Sequence, residues 1–229
     1  MPYAPAFQRF FDKHLQPLLS DPSAAAGREQ RVIKLLQDYY SSMPTRQDRA
    51  AIYKWLGLMH SNLATEAFQD RDLPAAKENH ALMEEFYLKS LDEDPNQIEV
   101  RYNLAQHYLH FLGDAERALA MLVPAEQEGP LADRPTALEE LQHHRLILRG
   151  VSLLILGRKS EGLAELQEAY GPRFRATLRH NASTAPLQQL VIRDVTLTAE
   201  QLAPLIEALR ACGAPQDELH TIERQLRTD

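Results

Sequence analysis

Cysteine is the first thing this chain lacks. A single residue, Cys212, leaves no internal disulfide framework and no cysteine-rich zinc site, so nothing in the composition requires an oxidising compartment. Glycine (9) and proline (14) are too sparse for a disordered or collagenous chain, and aromatics stand at an ordinary 7%. No long apolar run exists either. The most apolar stretch, Leu146 to Leu156, contains Arg149 and is about half of what a membrane span needs. The first residues, MPYAPAFQRFFDKHLQPLL, have no basic segment followed by an apolar one, so no secretion signal is expected and the default location is the cytoplasm. Positive charge is in deficit: 25 Lys and Arg against 32 Asp and Glu give a net charge of −7, which argues against general affinity for nucleic acid or an anionic membrane.

Catalytic signatures are missing as well. There is no phosphate-cradling GxxxxGK[ST] loop, no GxGxxG, no GxSxG and no HExxH. Carboxylate pairs such as Glu84-Glu85 and Glu139-Glu140 fall on the solvated sides of helical patterns, where general acid or base work has no setting. His107 and His110 stand three apart on one helix, yet no third ligand has the placement a metal site wants. Neither a cofactor nor a metal is implied, and no enzyme is expected.

What is present is helical periodicity. With 44% hydrophobic residues the chain can bury a substantial core. Apolar residues recur at helical spacing over 3–19 (Phe7, Phe10, Phe11, Leu15, Leu18) and over 27–41 (Val32, Ile33, Leu35, Leu36). A long helix follows from Thr45, its N-cap, to about Gln69, and another from Pro74 to Asp94. Residues 98–130 read as two helices joined at Gly113-Asp114. Such a hairpin has one buried side at most and needs stacked companions. Thr136 with Glu139 and Thr198 with Gln201 mark capping boxes of later helices, and Gly213 with Pro215 stops the second of them.

Phe86 to Asn96, FYLKSLDEDPN, resembles the end of a tetratricopeptide repeat. Asn103-Leu104-Ala105, Tyr108, Gly113-Asp114 and Ala118-Leu119 resemble the beginning and middle of the next, with Pro130 on the terminal proline. The segment carries one extra residue before Gly113, and Arg101 stands where the family has its early tryptophan. A preceding unit begins near Gly57 and a following one near His143, the latter with Gly150, Gly157 and Gly162 at its small and turn positions, so the resemblance covers residues 57 to about 172. It implies an all-α, right-handed helical-repeat solenoid. The expected domains are an N-terminal capping hairpin (1–44), a repeat array (45–172) and a C-terminal helical cap (173–229).

In that family the first helix of each repeat lines a concave groove that receives a peptide or a partner helix. By position, the resemblance assigns the groove to Ser61, Thr65 and Phe68, then to Tyr102, Gln106, Leu109 and His110, then to Ile147, Val151, Leu154 and Ile155. The last four are too apolar for water, so either the helices after residue 184 fold back over them or a partner does. The cationic clamp that some members use on C-terminal carboxylates is absent, because Tyr102 and Gln106 occupy its places around Asn103. A basic stretch, Arg173, Arg175, Arg179 and His180, is read as satisfying acidic neighbours in a net-negative protein. The functional expectation is a non-catalytic adaptor or scaffold for a protein or peptide partner. The alternatives are a structural subunit of an oligomer or, behind it, an all-α enzyme or metal-binding protein. The oligomeric state is not indicated.

Overall fold

The computed structural model describes residues 3–24, 27–42, 44–122 and 135–228. Its helices are α1 (Pro5–Phe10), α2 (Gln16–Ser20), α3 (Arg28–Tyr40), α4 (Arg46–Gln69), α5 (Leu73–Glu93), α6 (Ile98–Gln106), α7 (Ala115–Met121), α8 (Pro135–Ile155), α9 (Lys159–Ala169), α10 (Arg175–His180), α11 (Ala185–Ile192), α12 (Ala199–Ala211) and α13 (Gln216–Leu226). The fold is all-α. Among the described residues the one β feature is an isolated bridge between Leu197 and Arg227. The chain divides into two compact units, residues 1–101 and 102–229, the division falling inside α6.

Local chemistry sets the helix ends. Thr45 and Asp48 form a reciprocal capping box at the start of α4, and Thr198 and Gln201 form another at α12. The described part of α8 begins at Pro135, and the side chain of Thr136, where a box is expected, lies outside the described residues. Pro130, the expected repeat terminus, lies outside the described residues.

Five of the turns between helices share one geometry. Arg71, Gly113, Gly157, Asp194 and Gly213 all adopt positive φ, between 53° and 90°. After four of them the next amide bonds back to the carbonyl five residues earlier: Asp72 to Ala67 (2.8 Å), Arg158 to Leu153 (2.9 Å), Val195 to Leu190 (2.9 Å) and Ala214 to Leu209 (3.1 Å). This satisfies a carbonyl that the helix end leaves open. After Gly113 the bond from Asp114 reaches six residues back, to Tyr108 (2.8 Å), because His107–Leu112 is wound as a π turn. The extra residue before Gly113 is therefore absorbed as one wide turn, and the positive φ at the turn is kept. Asp72 and Asp114 then cap the helices that follow, accepting from the amides of Ala75 and Arg117. A second π turn, Phe11–Leu15, interrupts the continuous helix expected over 3–19. It lies directly before Pro17, whose ring would otherwise press on the carbonyl four residues back.

In the N-terminal unit α4 and α5 form a long antiparallel pair. Arg49 chelates Glu93 (2.7 and 3.0 Å), Ser90 Oγ donates to the Ala50 carbonyl (2.7 Å), and His60 meets Asn79 (2.9 Å). Gly57 sets their crossing, because a Cβ there would come within 2.4 Å of the Tyr87 ring. α1 and α3 lay Phe7, Val32 and Leu36 against Ile52, Leu56 and Met59 of α4. Each fully buried side chain of this size contributes about 1.5–3 kcal/mol by leaving water.

In the C-terminal unit α8 and α9 form an antiparallel pair tied by Arg149 to Glu165 (3.0 Å). Gly150 and Gly162 face each other at backbone contact, and a Cβ on Gly162 would lie 2.8 Å from the Gly150 oxygen. α11 packs on α8, α12 on α9, and α13 on both α11 and α12. The chain end is held by Leu197 N–H donating to the Leu226 carbonyl (2.6 Å).

Candidate functional site

The expected groove residues fall in both units. In the N-terminal unit Ser61 is half-buried, its carbonyl accepting from Thr65 Oγ1 (3.0 Å). Thr65 and Phe68, one helical turn apart on α4, are exposed, Phe68 to 59%.

In the C-terminal unit the expected groove residues separate into two sets. Tyr102, Leu109, Ile147 and Val151 are buried, as is Leu154, while Ile155 is half-buried. Tyr102 donates its hydroxyl to the Leu141 carbonyl, so it bridges α6 to α8 and belongs to packing. Burial, opposed by the nearby Arg145, pushes its phenol well above the usual range. Gln106 and His110 remain exposed. The space beside these helices is taken by α11. It packs on α8, and Arg193, just past its end, donates to the Leu109 carbonyl (3.5 Å). The C-terminal helices thus cover the apolar floor, for the reason visible in the residues: Leu187 and Leu190 need an apolar surface as much as Ile147 and Val151 do. Desolvation lowers the His110 pKa, Arg193 adds to the depression and Gln189 opposes it.

The covering helix leaves a rim. Phe111 (56% exposed) and Leu112 (52%) project from the π turn, and Ile192 (67%) closes α11. Arg193 joins the two stretches, because its guanidinium lies where a Cβ on Gly113 would sit, 2.2–2.5 Å from that position. Gly113 therefore supplies both the positive φ and the space for Arg193. Sequence reasoning missed this rim, since exposure of Phe111 and Leu112 depends on the helical phase reached after the widened turn. The one sequence signal was the extra residue before Gly113.

Other titratable groups fall outside this region. His143 is 1% exposed, its ring tilted against Phe174 (5.3 Å between centroids) and His144 (5.9 Å), with no hydrogen-bond partner on either ring nitrogen among the described residues. Burial first, then His144, pushes its pKa down to about 4. Glu139 and the Ala169 backbone oppose the shift, the latter from outside hydrogen-bond geometry. His107 is buried on the π turn, against Tyr108 and Phe111. Among the described residues no three His, Cys, Asp or Glu side chains converge as metal ligands would, and no helix is long and apolar enough to cross a membrane.

The basic stretch also divides. Arg173 reaches Glu168 (3.3 Å) and Gln142 (2.8 Å) and lies over the Phe174 ring. Phe174, Thr177 and Leu178 are buried, with Thr177 donating to Glu139 (3.2 Å), so α10 is held on α8 by one side. Arg175 and Arg179 stand exposed on the other side and make no side-chain hydrogen bond or ion pair among the described residues. The acidic neighbour expected for these arginines is present for Arg173, and for Arg175 and Arg179 there is none among the described residues.

No protein-family model matches the chain, and comparison with curated proteins finds no match. Among solved structures the chain is similar to the crystal structure of PilW, a widely conserved type IV pilus biogenesis factor, at 16% identity over 86% of this chain and 91% of that one, with a TM-score of 0.36. A likeness that loose has no bearing on function.

Proposed function

We propose that this chain is a non-catalytic helical-repeat scaffold that holds a segment of a partner protein. The observation that carries the reading is the rim in the C-terminal unit, where Phe111, Leu112 and Ile192 expose 52–67% of their surfaces beside Gln106 and His110. Large apolar side chains gathered at one place on a surface are an unfavourable arrangement unless something covers them. Gln106 and His110 add hydrogen-bonding groups to that apolar area, which suits a peptide with side chains of both kinds. Tyr102, Leu109, Ile147 and Val151 support the site from beneath. In the N-terminal unit Ser61, Thr65 and Phe68 form a second place for contact on α4. Residues 1–44 and 173–229 serve as the caps of the repeat array, and the cytoplasm is its proposed location.

A photo-reactive amino acid at Gln106 tests the reading. It should cross-link one polypeptide, and that polypeptide, once purified, should bind the intact chain and lose at least tenfold in affinity to the L112S/I192S variant. Cross-links only between copies of this chain, with concentration-dependent sedimentation, would instead make it an assembly subunit.

A further inference from the structure

We infer that the outer face of α10 is a docking surface for an acidic segment of a protein partner, with Arg175 and Arg179 as its two contacts. The two arginines are four residues apart, on the side of α10 opposite the buried Phe174, Thr177 and Leu178. Local stability gives no account of Arg175. It occupies the first position of the helix, where the backbone dipole disfavours a cation, and it has a like charge one turn away. Arg179, in the last turn, suits the dipole but shares the like-charge penalty. Among the described residues the carboxylates of Glu139 and Glu168 are met by Thr177 and Arg173 instead. Two guanidinium groups thus project from an anchored helix, exposed and without a partner among the described residues, in a chain of net charge −7.

The ligand chemistry follows from the spacing. Four residues at 1.5 Å each separate the two Cα positions by about 6 Å. Alternate residues of an extended peptide, at about 3.3 Å each, put two carboxylates about 6.6 Å apart on one face. Each carboxylate can accept two parallel N–H bonds from a guanidinium. A nucleic acid fits less well. Phe174 is fully buried and stacks on no base, the exposed His180 offers a single ring, and the net negative field repels a long polyanion. A membrane surface wants about four to eight clustered cations. The inference shares with the scaffold reading only that the partner is a protein, and it uses none of the rim residues.

Fluorescence anisotropy on the intact chain with a labelled decapeptide of alternating Glu and Ser tests it. Binding is expected at 50 mM salt, several-fold weaker at 200 mM, and at least tenfold weaker in R175E/R179E. The peptide with Gln in place of Glu should not bind. R175Q/R179Q serves as the second variant should the charge reversal disturb folding, which circular dichroism reports. No binding by the unmodified chain, equal binding by the variants, or tighter binding of a single-stranded oligonucleotide than of the Glu peptide would overturn the inference. The Gln106 cross-link is read in the same variants: if it persists while peptide binding fails from the start, only this surface is lost, and if it is absent while the peptide binds, only the rim is.

Discussion

Replacing Gly162 with Ala sets two opposing effects against each other. In an exposed helix the change stabilises by about 1 kcal/mol, because alanine restricts the unfolded chain and favours the helix. Gly162, however, faces α8 at backbone contact. Its Cβ would stand 2.7 Å from Leu154 Cγ, 2.8 Å from the Gly150 oxygen and 3.0 Å from the Leu154 amide nitrogen. A side chain can rotate away, but the oxygen and the nitrogen belong to the α8 backbone and yield only if the helices separate. Overpacking of this kind costs about 1–3 kcal/mol, and with backbone in the way the upper part of that range applies. The net expectation is a loss of about 1–2 kcal/mol, read as a fall in Tm of about 2–8 °C if a chain of this size unfolds cooperatively. Gly150→Ala is the matched comparison. Its Cβ meets mainly the Leu166 side chain, at 2.6 and 2.8 Å, and the Gly162 oxygen only at 3.0 Å, so it should lose less. Thermal unfolding of both variants by circular dichroism decides the matter. A Gly162→Ala protein as stable as the parent would refute the claim that backbone contact fixes the α8–α9 crossing.

Two further perturbations rest on the same kind of geometry. His143 titrates near 6.5 when unfolded and near 4 when folded, so between those values the unfolded state binds more protons and stability rises with pH. Its contribution is complete above about pH 6.5 and falls by roughly 3 kcal/mol as the pH drops to about 4. Chemical denaturation across that window should show a steep dependence that His143→Leu flattens, and an unchanged slope would remove His143 as its source. Arg71→Gly should stabilise by up to about 1 kcal/mol, because Arg71 holds a φ of 63° that disfavours any side chain, while the Asp72 cap beyond it is kept. A lower Tm for Arg71→Gly would mean that the arginine side chain contributes more than its backbone strain costs.

The helices themselves were legible because their signals are local. Thr45 with Asp48 and Thr198 with Gln201 announce caps, and Gly113 and Gly157 announce turns. The apolar period of 3–4 residues places Leu36, Ile52 and Leu56 on buried faces before any neighbour is known. Local rules also had a definite failure. Residues 3–19 read as one regular helix, and Pro17 forces a widened turn into it. The repeat spacing pointed to Gly150 and Gly162 as small positions, but only the packed pair shows them facing one another.

The candidate site was less legible, because exposure belongs to the assembled chain. Tyr102, Leu109, Ile147 and Val151 stand where the repeat frame puts a groove, and nothing in their own segment says whether water, a partner or the same chain covers them. α11, more than 30 residues beyond Ile147, supplies that cover, and loop closure over such a distance is a tertiary event with no local signature. What the sequence alone determined is the all-α architecture, since capping, turns and periodicity act between residues a few positions apart. What only the tertiary structure decided is which side chains remain on the surface. The wide turn before Gly113 and the end of α11 bring Phe111, Leu112 and Ile192 to the rim, and the anchoring of α10 by its apolar side leaves Arg175 and Arg179 open.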